Sequence, residues 1–574
     1  MSAVERLNDT TSFDSDRTAA MSRASSNSSN APTLVYPAWV PQKAPLQDRE
    51  RMRRRSSVDL RSAKRAQEEQ TERSSKKEKK AQGEKEKGGR GKEEEDKNVV
   101  NWREKDEENP RNWPEWKKWM VVLSILPADI AVSFGSTGYS PAQDKFAEDM
   151  GVSSVVAVLP LSLFVLGFAL GPLILAWGGR WGVYVYGHAL MTIWIIASAV
   201  APNLGSFLVL RLIGACCGAM SISNIGGTIA DLWPPNETAP ATSLYVASAV
   251  AGPGLGYACM SIVAQFRPWR DVIWGIAGVA GGTLIILLLG QRETRHSILL
   301  EKRLKKLKKE TGNEKLHLPK GMQRTGWADL MKNHLVRPIK FQFTEGIVIA
   351  AALINVQLFG VNYLFTGAYP LVFGENGSRV WNTLQVGMTW FGLVIGGAIG
   401  PLTHIPQERK FRRETKENGD ILVPERRLDM ACVAGVVYPA SLFWFAWTTY
   451  PSVHWIVPVI ASFFFGWSFF SLILMVNQYL TDSYGEFAAS ALAAASLARN
   501  LAGAGFPLFG TQMYERLGNQ WATSLIAFLA LLVTPIPFVW RRYGKKLRLK
   551  SPHARKHMEE IGEDTGEGGG NGEA

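Results

Sequence analysis

The sequence predicts an all-α membrane protein of twelve transmembrane helices in two six-helix halves, preceded by a disordered N-terminal tail. Three observations carry that expectation. First, 46% of the 574 residues are hydrophobic, yet mean hydropathy is near zero, because the charge is concentrated at the two ends and in two internal segments. Second, the intervening stretches are apolar and run close to the roughly 20 residues that cross a bilayer. Third, the second set of stretches echoes the first. Asp231-Leu232-Trp233 and Asp482-Ser483-Tyr484 each precede an Ala/Ser-rich stretch that contains a proline, Pro253 or Pro507.

Residues 1–112 are Ser/Thr-rich and then Lys/Glu/Gly-rich, too polar to bury a core, and are expected to be a disordered cytoplasmic tail. Within them Arg54-Arg55-Ser56-Ser57 offers Ser57 as a phosphorylation candidate, against the plainer reading of a solvated basic run. Spans are expected near 119–140, 155–177, 183–201, 207–230, 241–263 and 272–290, making a first half over 113–291. A basic link, 292–341, follows. The second half, 342–541, holds spans near 343–373, 381–402, 428–449, 453–480, 486–510 and 520–540, and a C-terminal tail covers 542–574. No apolar core of a signal peptide lies in residues 1–40.

Lys and Arg set the orientation. The 291–341 link, ERKFRRETK at 408–416 and RRYGKKLRLK at 541–550 are heavily basic, whereas the loops of the opposite side are short and carry few basic residues. Both termini are therefore expected in the cytoplasm. The net charge of +13 then describes segments facing one compartment, and nucleic acid is not the expected partner. In the link, Ile298, Leu299, Leu300, Leu304 and Leu307 recur at helical spacing among lysines and arginines, which predicts an amphipathic helix on the inner leaflet. Asn376-Gly377-Ser378 is the one glycosylation triplet that this topology places outside.

Ionisable residues inside the spans are few, and a charge in hydrocarbon marks a functional candidate. Asp129 sits mid-way along the first span, two residues after Pro127, and could exchange a proton when desolvated. Arg211 lies in the fourth span. An arginine keeps its proton at working pH, so Arg211 is expected to tune a neighbouring carboxylate, Asp129, or to clamp a gate, rather than to carry the proton. Glu345 opens the seventh span and is the second proton-coupling candidate. Asn224, Gln357, Asn362, Tyr363, Asn477, Gln478, Tyr479 and Arg499 are candidates to line a cavity, with interhelical hydrogen bonding as the bland alternative. His188 is expected to be a satisfied core histidine. The aromatic runs at 443–447 and 463–470 could stack on a ligand, but they suit packing better. Cys216, Cys217, Cys259 and Cys432 lie in spans without metal-site spacing, so no metal is expected. No phosphate-binding Gly-rich loop with its lysine and no nucleophile–base pair is present, so neither ATP-driven pumping, an enzyme activity nor a cofactor is expected.

Residues 106–548 resemble fungal drug:proton antiporters of the major facilitator superfamily, the twelve-span branch that includes polyamine and multidrug exporters. The resemblance is carried by ENPRNWPEWKKW before the first span, GGTIADLWPPNE after the fourth, FTEGIV at the seventh and AASALAAASLARNLAGAGFPLFG at the eleventh. It implies proton-coupled export of drugs, toxins or metabolites by alternating access, in exchange for protons. It also matches Arg211 to the arginine of the fourth-helix motif, and Gly252 and Pro253 to the antiporter motif of the fifth. Gly179 and Arg180 match the gating loop between the second and third spans, but that loop lacks the family's acidic residue and about four positions. Alternatives within the class are a dedicated polyamine or secondary-metabolite exporter; outside it, a transport-inactive sensor or scaffold. The expected setting is the lipid bilayer of the plasma membrane, with the vacuolar membrane as the alternative. The expected partners are a small organic substrate and protons, and the expected state is monomeric.

Overall fold

A computed structural model describes residues 98–103, 105–174, 179–234, 237–319, 335–374, 379–417 and 423–560. Ser57 and the Asn376–Ser378 triplet lie outside the described residues. All the described residues belong to one compact unit, Asp96–Ala574.

In a bilayer no water is available to bond a free backbone amide, so a segment that crosses as a helix satisfies its own N–H and C=O groups. The described chain does this with α1 (Glu115–Thr137), α2 (Ser154–Ile174), α3 (Arg180–Ala199), α4 (Leu204–Leu232), α5 (Ala239–Phe266) and α6 (Trp269–Gly290). After the link come α7 (Gly346–Phe373), α8 (Thr383–Glu417, interrupted at Trp390), α9 (Asp429–Trp447) and α10 (Ile456–Tyr484). The helical run Ala488–Val533 is two passes, because Gly518 adopts φ 75°, a left-handed value that reverses the chain. Its first part, 488–517, is α11. Its second part, from 519, is α12, which continues through the helical Thr534 into Pro535–Lys550. Among the described residues there are thus two sets of six passes. Because six is even, the segment before α1, the link and the C-terminal helices all emerge on one face, here called the terminal end.

The link helix, His296–Thr311, departs from its expected place on a lipid surface. Its Leu300 is fully buried with Val100 and Leu318, and Trp102, Leu304, Leu307 and Leu316 pack around them. The chain itself covers the apolar stripe. Val100 N–H donates to the His317 carbonyl at 2.9 Å and His317 N–H to that of Asn98 at 3.0 Å. Arg303 donates to Asp106. Burial alone would raise the Asp106 carboxyl, but Arg303 and two backbone amides outweigh it and hold the group below its usual range. The clasp is therefore an ion pair at neutral pH and weakens only as the pH falls through the carboxylate range.

The two sets meet mainly at the end remote from the termini. There α5 runs along α8, and α2 along α11. Tyr257 of α5 stacks on Trp390 of α8 at 5.0 Å between centroids and 20° between planes, and Trp390 packs in turn on Tyr369 of α7 at 4.8 Å. The Leu384 N–H donates to Gln265 at 3.3 Å, and the hydroxyls of Ser136 and Tyr363 lie 3.5 Å apart. Trp390 and Ser261 are fully buried in this joint. The structure is the state closed at the far end. An aromatic pair contributes about 0.5–1.5 kcal/mol beyond its buried area. Trp390→Ala is therefore expected to raise the opening of this end roughly 2- to 13-fold, read as the labelling rate of a thiol introduced by Ser261→Cys with an impermeant maleimide applied from that side.

Candidate functional site

Asp129 sits in the middle of α1 and is 2% exposed. The Ser248 hydroxyl of α5 lies 2.7 Å from its Oδ2 and 2.8 Å from the Tyr245 carbonyl. That hydroxyl has one proton, so it can donate to one of the two at a time. A charged carboxylate is the stronger acceptor, and protonating Asp129 returns the hydroxyl to the backbone. Arg499, from α11 in the other set, acts electrostatically on Asp129 and on Tyr245 and Tyr363. Its guanidinium lies over the Phe359 ring at 4.7 Å. Asp129, Arg499 and Tyr363 are thus brought together across the joint between sets. Asn362, one turn beyond Phe359 on α7, is 1% exposed, and its amide oxygen and nitrogen both lack a partner.

Arg211 is elsewhere. Its Nη2 donates to the Gly135 carbonyl at 2.5 Å and its Nε to that of Pro160 at 3.2 Å. Tyr139, Phe164 and Phe207 present their rings to the guanidinium at 4.8–5.8 Å. Gly135 is six residues beyond Asp129, about 9 Å along the helix axis. Arg211 therefore ties α1, α2 and α4 together nearer the far end, and the charge that faces Asp129 is Arg499. The pairing of Asp129 with Arg211 expected from the sequence is not the one the structure assembles.

Gly252 and Pro253 lie where α5 crosses α1. A Cβ on Gly252 would meet the Ser133 side chain at 2.7 Å, so only glycine permits this approach without a shift. Pro253 cannot supply a helical N–H, and its own carbonyl accepts from the Thr137 hydroxyl at 2.8 Å.

Gly179 and Arg180 open α3 at the terminal end. The Arg180 Nε donates to Asp231 at 2.9 Å and its Nη1 to the Asn224 side-chain oxygen at 2.6 Å. The Arg180 backbone N–H donates to Glu293 at 2.9 Å. Asn224 thus supports a charge cluster instead of a cavity. The acidic residue missing from the loop is supplied from the ends of α4 and α6. The second set repeats the arrangement: Arg427, just before α9, donates to Asp482 of α10 at 2.8 Å, with the Phe411 ring under its guanidinium at 3.9 Å. Sequence reasoning noted Asp231 and Asp482 as an echo but did not pair them; the basic residue that precedes the third pass of each set was the available signal. Glu293, Ser248 and Tyr245 were missed, because nothing in their local sequence separates them from other polar residues at helix ends and faces.

The remaining candidates scatter. Gln357 donates to the Ile526 carbonyl at 3.0 Å, inside the second set. Tyr479 is 1% exposed and stacks on Trp540 at 4.6 Å, which makes it core. Asn477 and Gln478 are half-buried on α10. Glu345 is 3% exposed, but its partners are Tyr484, Ser551 and His553 at the terminal end, away from Asp129. His188 is fully buried, as expected, and shares its Nε2 with the Ala280 carbonyl and the Thr283 hydroxyl, but its Nδ1 has no partner, so it is a core histidine that is only half satisfied.

The family model described as Major Facilitator Superfamily matches residues 119–507. The "Major facilitator superfamily multidrug transporter mdrA" of Aspergillus fumigatus is 35% identical over 470 residues, covering 81% of this chain and 77% of that protein. The "Efflux pump FUB11" of Gibberella moniliformis is 35% identical over 462 residues, 79% of this chain and 77% of its own. The "Major facilitator-type transporter sorT" of Penicillium rubens is 35% identical over 477 residues, 80% and 89%. With twelve passes in two sets of six and this match across most of its length, the chain belongs to the major facilitator superfamily and is a multi-pass membrane protein and secondary transporter.

Proposed function

We propose that this transporter exports small organic compounds in exchange for protons, with Asp129 as the group that takes up and releases the proton. The observation that carries the reading is the buried Asp129 within the field of Arg499 from the opposite set, with a serine hydroxyl able to follow its charge. A carboxylate in that setting changes the balance between the sets when it is protonated, since the arginine keeps its charge throughout. Proton and substrate then compete for one site that alternates between the two ends. Gly252 and Pro253 keep α5 close against α1 while the sets rock. Arg180–Asp231 and Arg427–Asp482 brace the terminal end of each set.

Asn362, with its unpartnered amide, is the group a substrate would satisfy. One carboxylate opposed by an arginine suits a neutral or singly cationic amphiphile better than a polyamine. The relatives named as a multidrug transporter and an efflux pump support export. Because the central site is complete within one chain, the working unit is a monomer. Its basic terminal end faces the cytoplasm, in the plasma membrane.

Inside-out vesicles with an imposed acid interior test this reading, with spermidine, a cationic dye and an azole as probes. Wild type is expected to accumulate the dye or the azole in a gradient-dependent way, and Asp129→Asn to lose at least about 90% of that flux. Gradient-driven accumulation that survives the substitution moves the proton elsewhere.

A further inference from the structure

The last described helix, Pro552–Glu560, has no part in the site above. It folds back on the terminal end of the second set, where Ala554 and Met558 are fully buried. His553 and His557 stand one turn apart on the same side of it. The His553 Nδ1 is 2.8 Å from Glu345 Oε1. The same carboxylate, at the start of α7, accepts from the Tyr484 hydroxyl at 3.1 Å and from that of Ser551 at 2.5 Å. The His553 ring packs against Phe341 and Phe487, at 4.7 and 4.9 Å between centroids. His557 lies against Gly485, and its field reaches Asp482, the acid paired with Arg427.

We propose that this helix is a proton-sensitive latch, in which charged His553 and His557 dock on Glu345 and Asp482 and hold the terminal end of the second set together. A carboxylate taken out of water is costly unless a charge comes with it. At Glu345 the other donors are neutral hydroxyls, so the imidazolium form of His553 supplies that charge. At Asp482 the field already contains Arg427 and, behind it, Glu408, and His557 adds a second cation. Lys556 and Arg337 lie over the Phe487 ring at 5.6 and 5.4 Å. These lysine and arginine charges are fixed near neutrality, whereas imidazoles exchange their proton between about pH 5 and 8.

The sign follows. The latch tightens as the terminal side acidifies and loosens as it becomes alkaline. His553 is 34% exposed on its side chain, so solvent protons reach it. The latch joins the start of α7, the end of α10 and the extension of α12, three ends that move as one body only while it is shut. Its consequence for flux rests on the proton-coupled reading, because delivered protons would then close it; the latch itself does not.

Hydrogen–deuterium exchange of residues 551–560 in the purified full chain, corrected for intrinsic exchange at each pH, is the test. Protection is expected to fall about ten-fold or more between about pH 6 and pH 8 in wild type. His553→Gln and Glu345→Gln are each expected to lower the protection at about pH 6 and to leave only the smaller pH dependence that His557 contributes at Asp482. Exchange in α2 and α5 reports that each variant is folded. Protection independent of pH in wild type, or a wild-type profile in folded His553→Gln, overturns the proposal; the wild-type arm needs no variant. Neither outcome depends on Asp129 or on any substrate.

Discussion

The structure depends on how few charges lie out of water and on how each one is matched. Removing one partner of a buried ion pair costs about 3–5 kcal/mol, because the other is left without compensation. Four charges have their partners fixed, one pair half-buried and one fully buried. Arg180 and Asp231 brace the first set, and Arg427 and Asp482 brace the second. Arg211 is matched differently, by two carbonyls and three aromatic faces, and so holds three helices without any group that titrates near neutrality.

Asp129 is the exception. Its near partner is a hydroxyl that can turn away, and its charged neighbour belongs to the opposite set. The two arginine–aspartate pairs lie within sets, whereas Asp129 and Arg499 come from opposite sides of the joint. That division suits alternating access: bodies that stay rigid and, in the function proposed above, a charge balance across their joint that one proton would change. The close packing of Gly252 on Ser133 and the stack of Tyr257 on Trp390 serve the same division, the first inside a set and the second across the joint.

The fold was legible because crossing a bilayer leaves a long apolar signature, and twelve such signatures in two groups admit few architectures. Helix ends were less legible: α8 runs on to Glu417, well past its apolar portion, because a helix persists in water once its charged turns pair with one another. The site was legible in part. Asp129 and Arg499 stand out because a lone charge in an apolar run is visible in one dimension. Their convergence on one joint, and the separation of Arg211 from them, depend on which faces of α1, α4 and α11 meet. Gln357, Tyr479 and Asn224 show the same limit, since a polar residue in a span reads alike whether it bonds a neighbouring helix or faces a substrate. The link helix was misplaced for a related reason. Its apolar stripe is evident, but the cover comes from Leu318, a few residues past the helix, and from Val100, about two hundred residues back.

The central claim is that Asp129 itself binds the transported proton, and it can be tested without knowing the substrate. Proteoliposomes adsorbed on a solid-supported membrane would be given a rapid pH jump, and the transient charge displacement recorded. Wild type and Glu345→Gln are expected to show a displacement of similar size, and Asp129→Asn to show none. A displacement that persists undiminished in Asp129→Asn would contradict the account.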